Sequence, residues 1–258
     1  MVMTARPASF VWYDLLTSRP NVSNAFYRSV LGWNLADAGL ADRSYMIASA
    51  GAVPVGGILA APGDPMAAGR KLWMGHIGVE DLDASLARLT AAGGAVYRTA
   101  EDIPGVGRFA VVGDPQRAAF ILFQPRVSMR LAPMPPGTPG HIGWHELYTD
   151  DLTGAWEFYA GLFGWTKADA LDMGSLGTYQ MFAAGGAPIG GMMIRPPEFP
   201  QPAWVYYVNV TDIDAAVARV RDHGGTVLFG PREVPGGSRI AQCTDPLGTL
   251  FALVAARR

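Results

Sequence analysis

Two acidic residues stand in matching surroundings 132 positions apart: Asp14 in VWYDLLT and Glu146 in GWHELYT, each two residues after a tryptophan. Both runs read as β-strands. Alternate side chains of a strand share a face, which groups Trp12, Asp14 and Leu16, and likewise Trp144, Glu146 and Tyr148. A carboxylate among apolar side chains has its charged form disfavoured, which suits it to proton transfer. Asp14 and Glu146 are therefore candidate acid/base groups, and His76, in the apolar run LWMGHIG, is a third. Arg108 and Arg239 recur with the same relationship between them and are expected to pair with the two acids, or to receive an anionic ligand. Of the other histidines, His145 should point away from Trp144 and Glu146, while His141 and His223 read as surface residues. The single cysteine, Cys243, reads as a buried apolar side chain rather than a nucleophile. The chain has no Gly-x-Ser-x-Gly elbow, no phosphate-cradling loop ending in Lys-Ser/Thr and no His-Glu-x-x-His.

These residues are carried by 258 positions that are 50% apolar and 16% charged, with 32 Gly and 20 Pro. Such a composition excludes intrinsic disorder and calls for many turns. Twenty basic residues against 22 acidic ones leave no basic footprint for nucleic acid. One cysteine excludes an internal disulfide framework and a multi-cysteine zinc site. The start of the chain, Met1 to Leu16, does not read as a signal peptide and no run is long enough to span a membrane. The expectation is a cytoplasmic protein without membrane or nucleic-acid partners, a monomer or a homodimer.

The elements that position the candidates are written twice. A shift of 132 aligns Val11–Trp33 with Gly143–Trp165 without a gap, matching Phe26-Tyr27 to Phe158-Tyr159. Shifts of 134 and 131 match Tyr45 to Tyr179, Gly56-Gly57 to Gly190-Gly191, Trp73 to Trp204 and Asp114-Pro115 to Asp245-Pro246. The Pro-rich stretch at 129–139 separates the copies, giving expected domains at 1–128 and 140–258. Within each copy a strand, a helix and further strands occur twice. Leu82, Leu86 and Leu89 form one helical stripe and Ile213, Val217 and Val220 its counterpart, with Asp81 and Asp212 as N-caps and paired glycines at the ends. The pattern is βαβββ four times over, an α+β fold with helices on one face of each sheet and the concave face free to line a cavity. Trp33 and Trp165, just past a helix, read as core.

Four such units carrying LTSRPNVSNAFYRSVLGW, DDLTGAWEFYAGLFGW, GHIGVEDLDASLARLTAAGG and DPLGTLFAL resemble the vicinal oxygen chelate superfamily, the group of glyoxalase I, bleomycin-resistance proteins and extradiol dioxygenases. DIPGVGRFAVVGDPQ is similar to a two-domain glyoxalase-like subgroup that includes a mycobacterial culture-filtrate antigen. The resemblance implies tandem glyoxalase-fold domains, each a curved sheet around a cavity. It also implies positions for a divalent metal: the ligand register falls on Trp12, His76 and Ile121 in the first copy and on Trp144, Tyr207 and Ala252 in the second. GGILAAP and GGMMIRP add no carboxylate. Indole, sec-butyl and methyl side chains bring no donor, so no cofactor is expected; a divalent metal would need His76 or His145.

With Trp12 and Trp144 facing inward, the cavity lining is expected to include Trp12, Asp14, Tyr45, Met74 and His76 in one copy. In the other it is expected to include Trp144, Glu146, Tyr148, Tyr179, Tyr207 and Asn209. An aromatic and apolar lining with a few polar groups is the usual make-up of a small-molecule pocket. The expected function is metal-independent binding of aromatic or polycyclic metabolites, for sequestration, resistance or an accessory metabolic step. The alternative is an enzyme of the same fold: a metal-dependent lyase, isomerase or oxygenase, or a cofactor-free acid/base catalyst.

Overall fold

The structure, a computed structural model, describes residues 8–40, 43–60, 72–126 and 134–256. Part of the expected linker (129–133), the end of GGILAAP and the first seven residues lie outside these. The four βαβββ modules are present. The first is β1 (Phe10–Thr17), α1 (Pro20–Leu31), β2 (Asn34–Asp37), β3 (Tyr45–Ala50) and β4 (Val53–Ala60). The second is β5 (Leu72–Gly78), α2 (Leu82–Ala91), β6 (Ala95–Ile103), β7 (Gly107–Gly113) and β8 (Ala119–Pro125). The third is β9 (Ile142–Thr149), α3 (Leu152–Phe163), β10 (Thr166–Asp172), β11 (Thr178–Ala183) and β12 (Pro188–Ile194). The fourth is β13 (Ala203–Asn209), α4 (Ile213–Asp222), β14 (Thr226–Glu233), β15 (Arg239–Thr244) and β16 (Leu250–Ala255). Each copy contributes one eight-stranded mixed sheet, of order β2-β3-β4-β1-β5-β8-β7-β6 and β10-β11-β12-β9-β13-β16-β15-β14. No helix among the described residues is long and apolar enough to cross a membrane.

The helix boundaries follow from capping chemistry. Asp81 accepts from the Ala84 N–H, and Asp212 from those of Asp214 and Ala215, satisfying first-turn donors that have no partner inside the helix. At the other end of α2, Gly94 N–H reaches the Leu89 carbonyl and Gly93 N–H that of Thr90. Gly93, at φ +86°, takes the left-handed turn this closure requires. The α4 stripe is buried as expected at Ile213, Val217 and Val220. The α2 stripe differs in one position: Leu82, Ser85 and Leu89 are buried and Leu86 only half-buried. β2 and β10 are short or largely exposed edge strands without apolar alternation, so the sequence pattern did not locate them.

The chain divides into two compact units that do not coincide with the repeats. One takes the described residues of 1–11, 75–132 and 145–204; the other takes those of 12–74, 133–144 and 205–256. Each unit thus combines a module from one copy with a module from the other. In the second unit Trp73 Nε1 donates to the Tyr27 hydroxyl at 3.0 Å, and that hydroxyl lies 3.5 Å from Asp245 Oδ2. Phe26 and Tyr27 pack edge-on against Phe251, and Arg219 Nε caps the Val30 carbonyl at the end of α1. In the first unit the homologous set repeats: Trp204 Nε1 donates to Tyr159, which donates to Asp114 Oδ2 at 3.2 Å. There Phe120 packs on Tyr159 and Phe163. The recurring spacing of Phe-Tyr, Trp and Asp-Pro in the two copies serves a core shared by modules of different copies. Trp33 and Trp165 are core, at 2% and 3% exposure, each with its indole N–H on a backbone carbonyl.

Candidate functional site

In the first copy, β1 runs parallel to β4 with Asp14 opposite Gly57. A Cβ on Gly57 would fall on the ring of Tyr45. The missing side chain is what lets Tyr45 cross from β3 over β4 to β1. Its hydroxyl donates to Asp14 Oδ1 at 2.7 Å, and Trp12 Nε1 lies 3.0 Å from the same oxygen and 2.8 Å from the Tyr45 hydroxyl. All three side chains are half-buried. Burial, then the Asp14 charge, raise the Tyr45 pKa far above the ordinary phenol value, so the phenol stays neutral and a donor. The result is a fixed indole–phenol–carboxylate group with an aromatic face. Replacing Gly57 with Val should push Tyr45 off Asp14 and cost about 1–3 kcal/mol by overpacking, read as a lower urea midpoint. An unchanged midpoint would mean the ring has another place to go.

The second copy reuses the arrangement. Glu146 lies opposite Gly191 in the β9–β12 register, and the ring of Tyr179 occupies the space a Gly191 Cβ would need. Here the groups are more enclosed: Glu146 is 6% exposed, Tyr148 4% and Tyr179 9%. Tyr148 carries the ring of Phe199 at 4.5 Å. Trp144 is half-buried.

Other expected lining residues fall elsewhere or have structural partners. Tyr207 is buried and its hydroxyl accepts from Gln242 Nε2 at 2.8 Å. Asn209 closes on the chain segment before β9: its side-chain and backbone N–H groups both donate to the His141 carbonyl. Met74 and His76 are buried, His76 against the edge of Phe123. His145 points to the face opposite Glu146, as alternation requires. It stacks on Phe10 at 4.2 Å with 6° between the rings, and Nδ1 lies 2.6 Å from the Ile189 carbonyl. Burial lowers its pKa to about 4. His223 is exposed at the end of α4, whereas His141 is half-buried. Cys243 is buried and its thiol is pushed up to about 12, away from nucleophilic chemistry.

The expected pairing of Asp14 and Glu146 with arginines is wrong. Arg108 forks onto Asp83 at 2.8 and 3.2 Å, and Arg239 onto Asp214. In each case an exposed acid in the first turn of a helix meets a half-buried arginine on a strand of the same module. Sequence reasoning also missed Phe199, which sits in a Pro-rich connection with no periodicity to mark it.

The fold family's divalent metal can be tested against the donors present. In the β5–β8 register His76 faces Ile121, and in the β13–β16 register Tyr207 faces Ala252. Trp12 presents an N–H that already serves Asp14 and Tyr45, and indole nitrogen is a donor only. Among the described residues no three His, Cys, Asp or Glu side chains gather as a ligand group. The residues at the metal register do not fit a divalent ion.

The family model described as Glyoxalase/Bleomycin resistance protein/Dioxygenase superfamily matches residues 9–122 and again 139–253. The chain is 29% identical over 245 residues to the putative glyoxylase CFP32 of Mycobacterium tuberculosis, spanning 94% of this chain and 93% of that protein. It is 31% identical over 266 residues to the anthracycline biosynthesis protein DnrV of Streptomyces peucetius, spanning 97% and 94%. Among solved structures it resembles the Mn(II)-bound glyoxalase from Novosphingobium aromaticivorans, with a TM-score of 0.64 at 18% identity over 99% of this chain and 84% of that one. It also resembles a catechol 2,3-dioxygenase, with a TM-score of 0.64 at 19% identity over 98% and 94%. At such identities these structures speak for the fold alone. Matched twice along its length, the chain belongs to the glyoxalase/bleomycin resistance protein/dioxygenase superfamily, as two tandem glyoxalase-fold domains.

Proposed function

We propose that this protein binds a planar aromatic or polycyclic small molecule without a bound metal, using the Trp12–Asp14–Tyr45 group, and serves in sequestration, resistance or an accessory metabolic step. The observation that carries the reading is Trp12 itself. An indole stands at the family's ligand register, half-buried, with its N–H held by Asp14 and Tyr45. That pinning fixes the ring plane, and a fixed indole face suits offset stacking with a flat ligand. The neutral Tyr45 and ionisable Asp14 beside it would give such a ligand's hydroxyl or carbonyl groups a defined orientation. The name of the relative DnrV, an anthracycline biosynthesis protein, supports a polycyclic aromatic ligand class.

Titration with 1,8-dihydroxyanthraquinone, followed by tryptophan fluorescence, tests the reading. Native protein should show saturable quenching, and Trp12→Leu should weaken binding at least about tenfold, or roughly 1.4 kcal/mol. Superimposable curves for the two proteins, or no saturable quenching of the native protein, would overturn it. A second reading, cofactor-free acid/base catalysis, draws on the short Tyr45–Asp14 contact of 2.7 Å. It requires Asp14→Asn to keep binding while losing turnover.

A further inference from the structure

The second copy contains its own aromatic occupant. Residues Arg195 to Phe199 leave the end of β12 and fold back over β9. Phe199 N–H turns onto the Pro196 carbonyl at 3.0 Å, and Arg195 N–H holds the Thr149 carbonyl at 2.9 Å. The Arg195 guanidinium ties the strap at two points: Nε bonds Asp150 Oδ1 and Nη1 bonds the Phe199 carbonyl, both at 2.5 Å. The far anchor is itself fixed, because the Asp150 and Asp151 N–H groups both donate to Gln116 Oε1 at 2.7 Å. The strap delivers the Phe199 ring to Tyr148, with centroids 4.5 Å apart and planes tilted by 47°. Tyr148 shares its strand face with Glu146, the counterpart of Asp14.

We infer that Phe199 is a resident surrogate for an aromatic ligand at the second copy's Glu146–Tyr148–Tyr179 face. The Arg195 strap restricts that face to planar aromatic molecules able to displace the ring. The inference rests on the proposed function for its ligand class. Burial at matching positions supports it: Asp14 and Tyr45 are half-buried, whereas their counterparts Glu146 and Tyr179 are each below a tenth exposed; Trp12 and Trp144 are both half-buried. Phe199 is itself only half-buried, and the Asp150 side chain is 53% exposed. With its Asp150 end open to water and salt, this ion pair is a weak fastening. The strap is built to be displaced rather than to be part of the core.

Calorimetric titration of the full chain with 1,8-dihydroxyanthraquinone reads the number of sites. The native protein should bind one equivalent, and Phe199→Ala should bind two. Arg195→Gln, which keeps the ring and loosens its tether, should reveal the second site with weaker affinity than Phe199→Ala does. In the Phe199→Ala background, Trp12→Leu should leave one equivalent bound. Two equivalents in the native protein, or one in native and both variants alike, would overturn the inference while leaving the proposed function standing. One equivalent in Phe199→Ala with none in the native protein would support the strap and contradict the proposed site at Trp12. Absence of binding in every protein would overturn both.

Discussion

Residues 1–128 and 129–258, produced as separate chains, are each expected to fail as folded monomers and to regain structure when mixed one to one. The two copies look like independent domains in the sequence, but the compact units draw on both. Without the second copy, α1 loses Phe251 from Phe26 and Tyr27, the Asp245 contact of Tyr27, and the Arg219 cap on Val30. Without the first copy, Tyr159 and Phe163 lose Phe120, Tyr159 loses Asp114, and His145 loses Phe10. Each fully buried large apolar side chain is worth roughly 1.5–3 kcal/mol. Several lost together rival the whole stability of a domain, about 5–15 kcal/mol. Circular dichroism melts of each half, and size-exclusion of the mixture, check this. A half that melts cooperatively as a monomer would contradict it.

Acid should destabilise the protein through His145. Its imidazole is buried against Phe10, and burial takes its pKa from 6.5 to about 4. The unfolded chain binds this proton more readily than the folded one. The stabilising contribution is therefore complete above about pH 6.5 and is lost as pH falls towards 4. The gap between the two values corresponds to roughly 3 kcal/mol at its limit. Asp114 acts in the opposite sense, because burial raises its carboxyl and the folded state then holds its proton more tightly. Comparing the native chain with His145→Phe cancels that term, since both keep Asp114. Urea midpoints at pH 7.5 and pH 4.5 should fall much further for the native chain than for the variant. Equal falls would show that His145 is not the group responsible.

The layout of the fold was legible because duplication exposes it. Matches such as Tyr45 with Tyr179 and Gly56-Gly57 with Gly190-Gly191 located the modules, and Asp81, Asp212 and the paired glycines marked helix ends. Self-alignment shows which residues recur, however, and not which ones touch. Tyr27 and Asp114 recur within one copy, yet Tyr27 meets Asp245 and Asp114 meets Tyr159. The same blindness produced the mistaken partnership of Asp14 with Arg108, two recurring residues of opposite charge whose real neighbours are Tyr45 and Asp83. The Trp12, Asp14 and Tyr45 candidates do come together, because strand alternation is a strong constraint and Gly57 opens the path. Asn209 shows the limit of that rule: its face was inferred from alternation, but its amide is taken by the His141 carbonyl. Phe199 had no legible signal, since a Pro-rich connection has neither a strand nor a helix period.

Ligand binding by Trp12, Asp14 and Tyr45 without a metal should survive chelation, which is checked by repeating the anthraquinone titration on native protein before and after exhaustive EDTA dialysis, with elemental analysis of both samples. The same saturable quenching is expected in each, with no stoichiometric Mn, Fe, Ni or Zn. Stoichiometric metal in the undialysed protein, with binding lost on chelation and restored by adding that metal back, would contradict it.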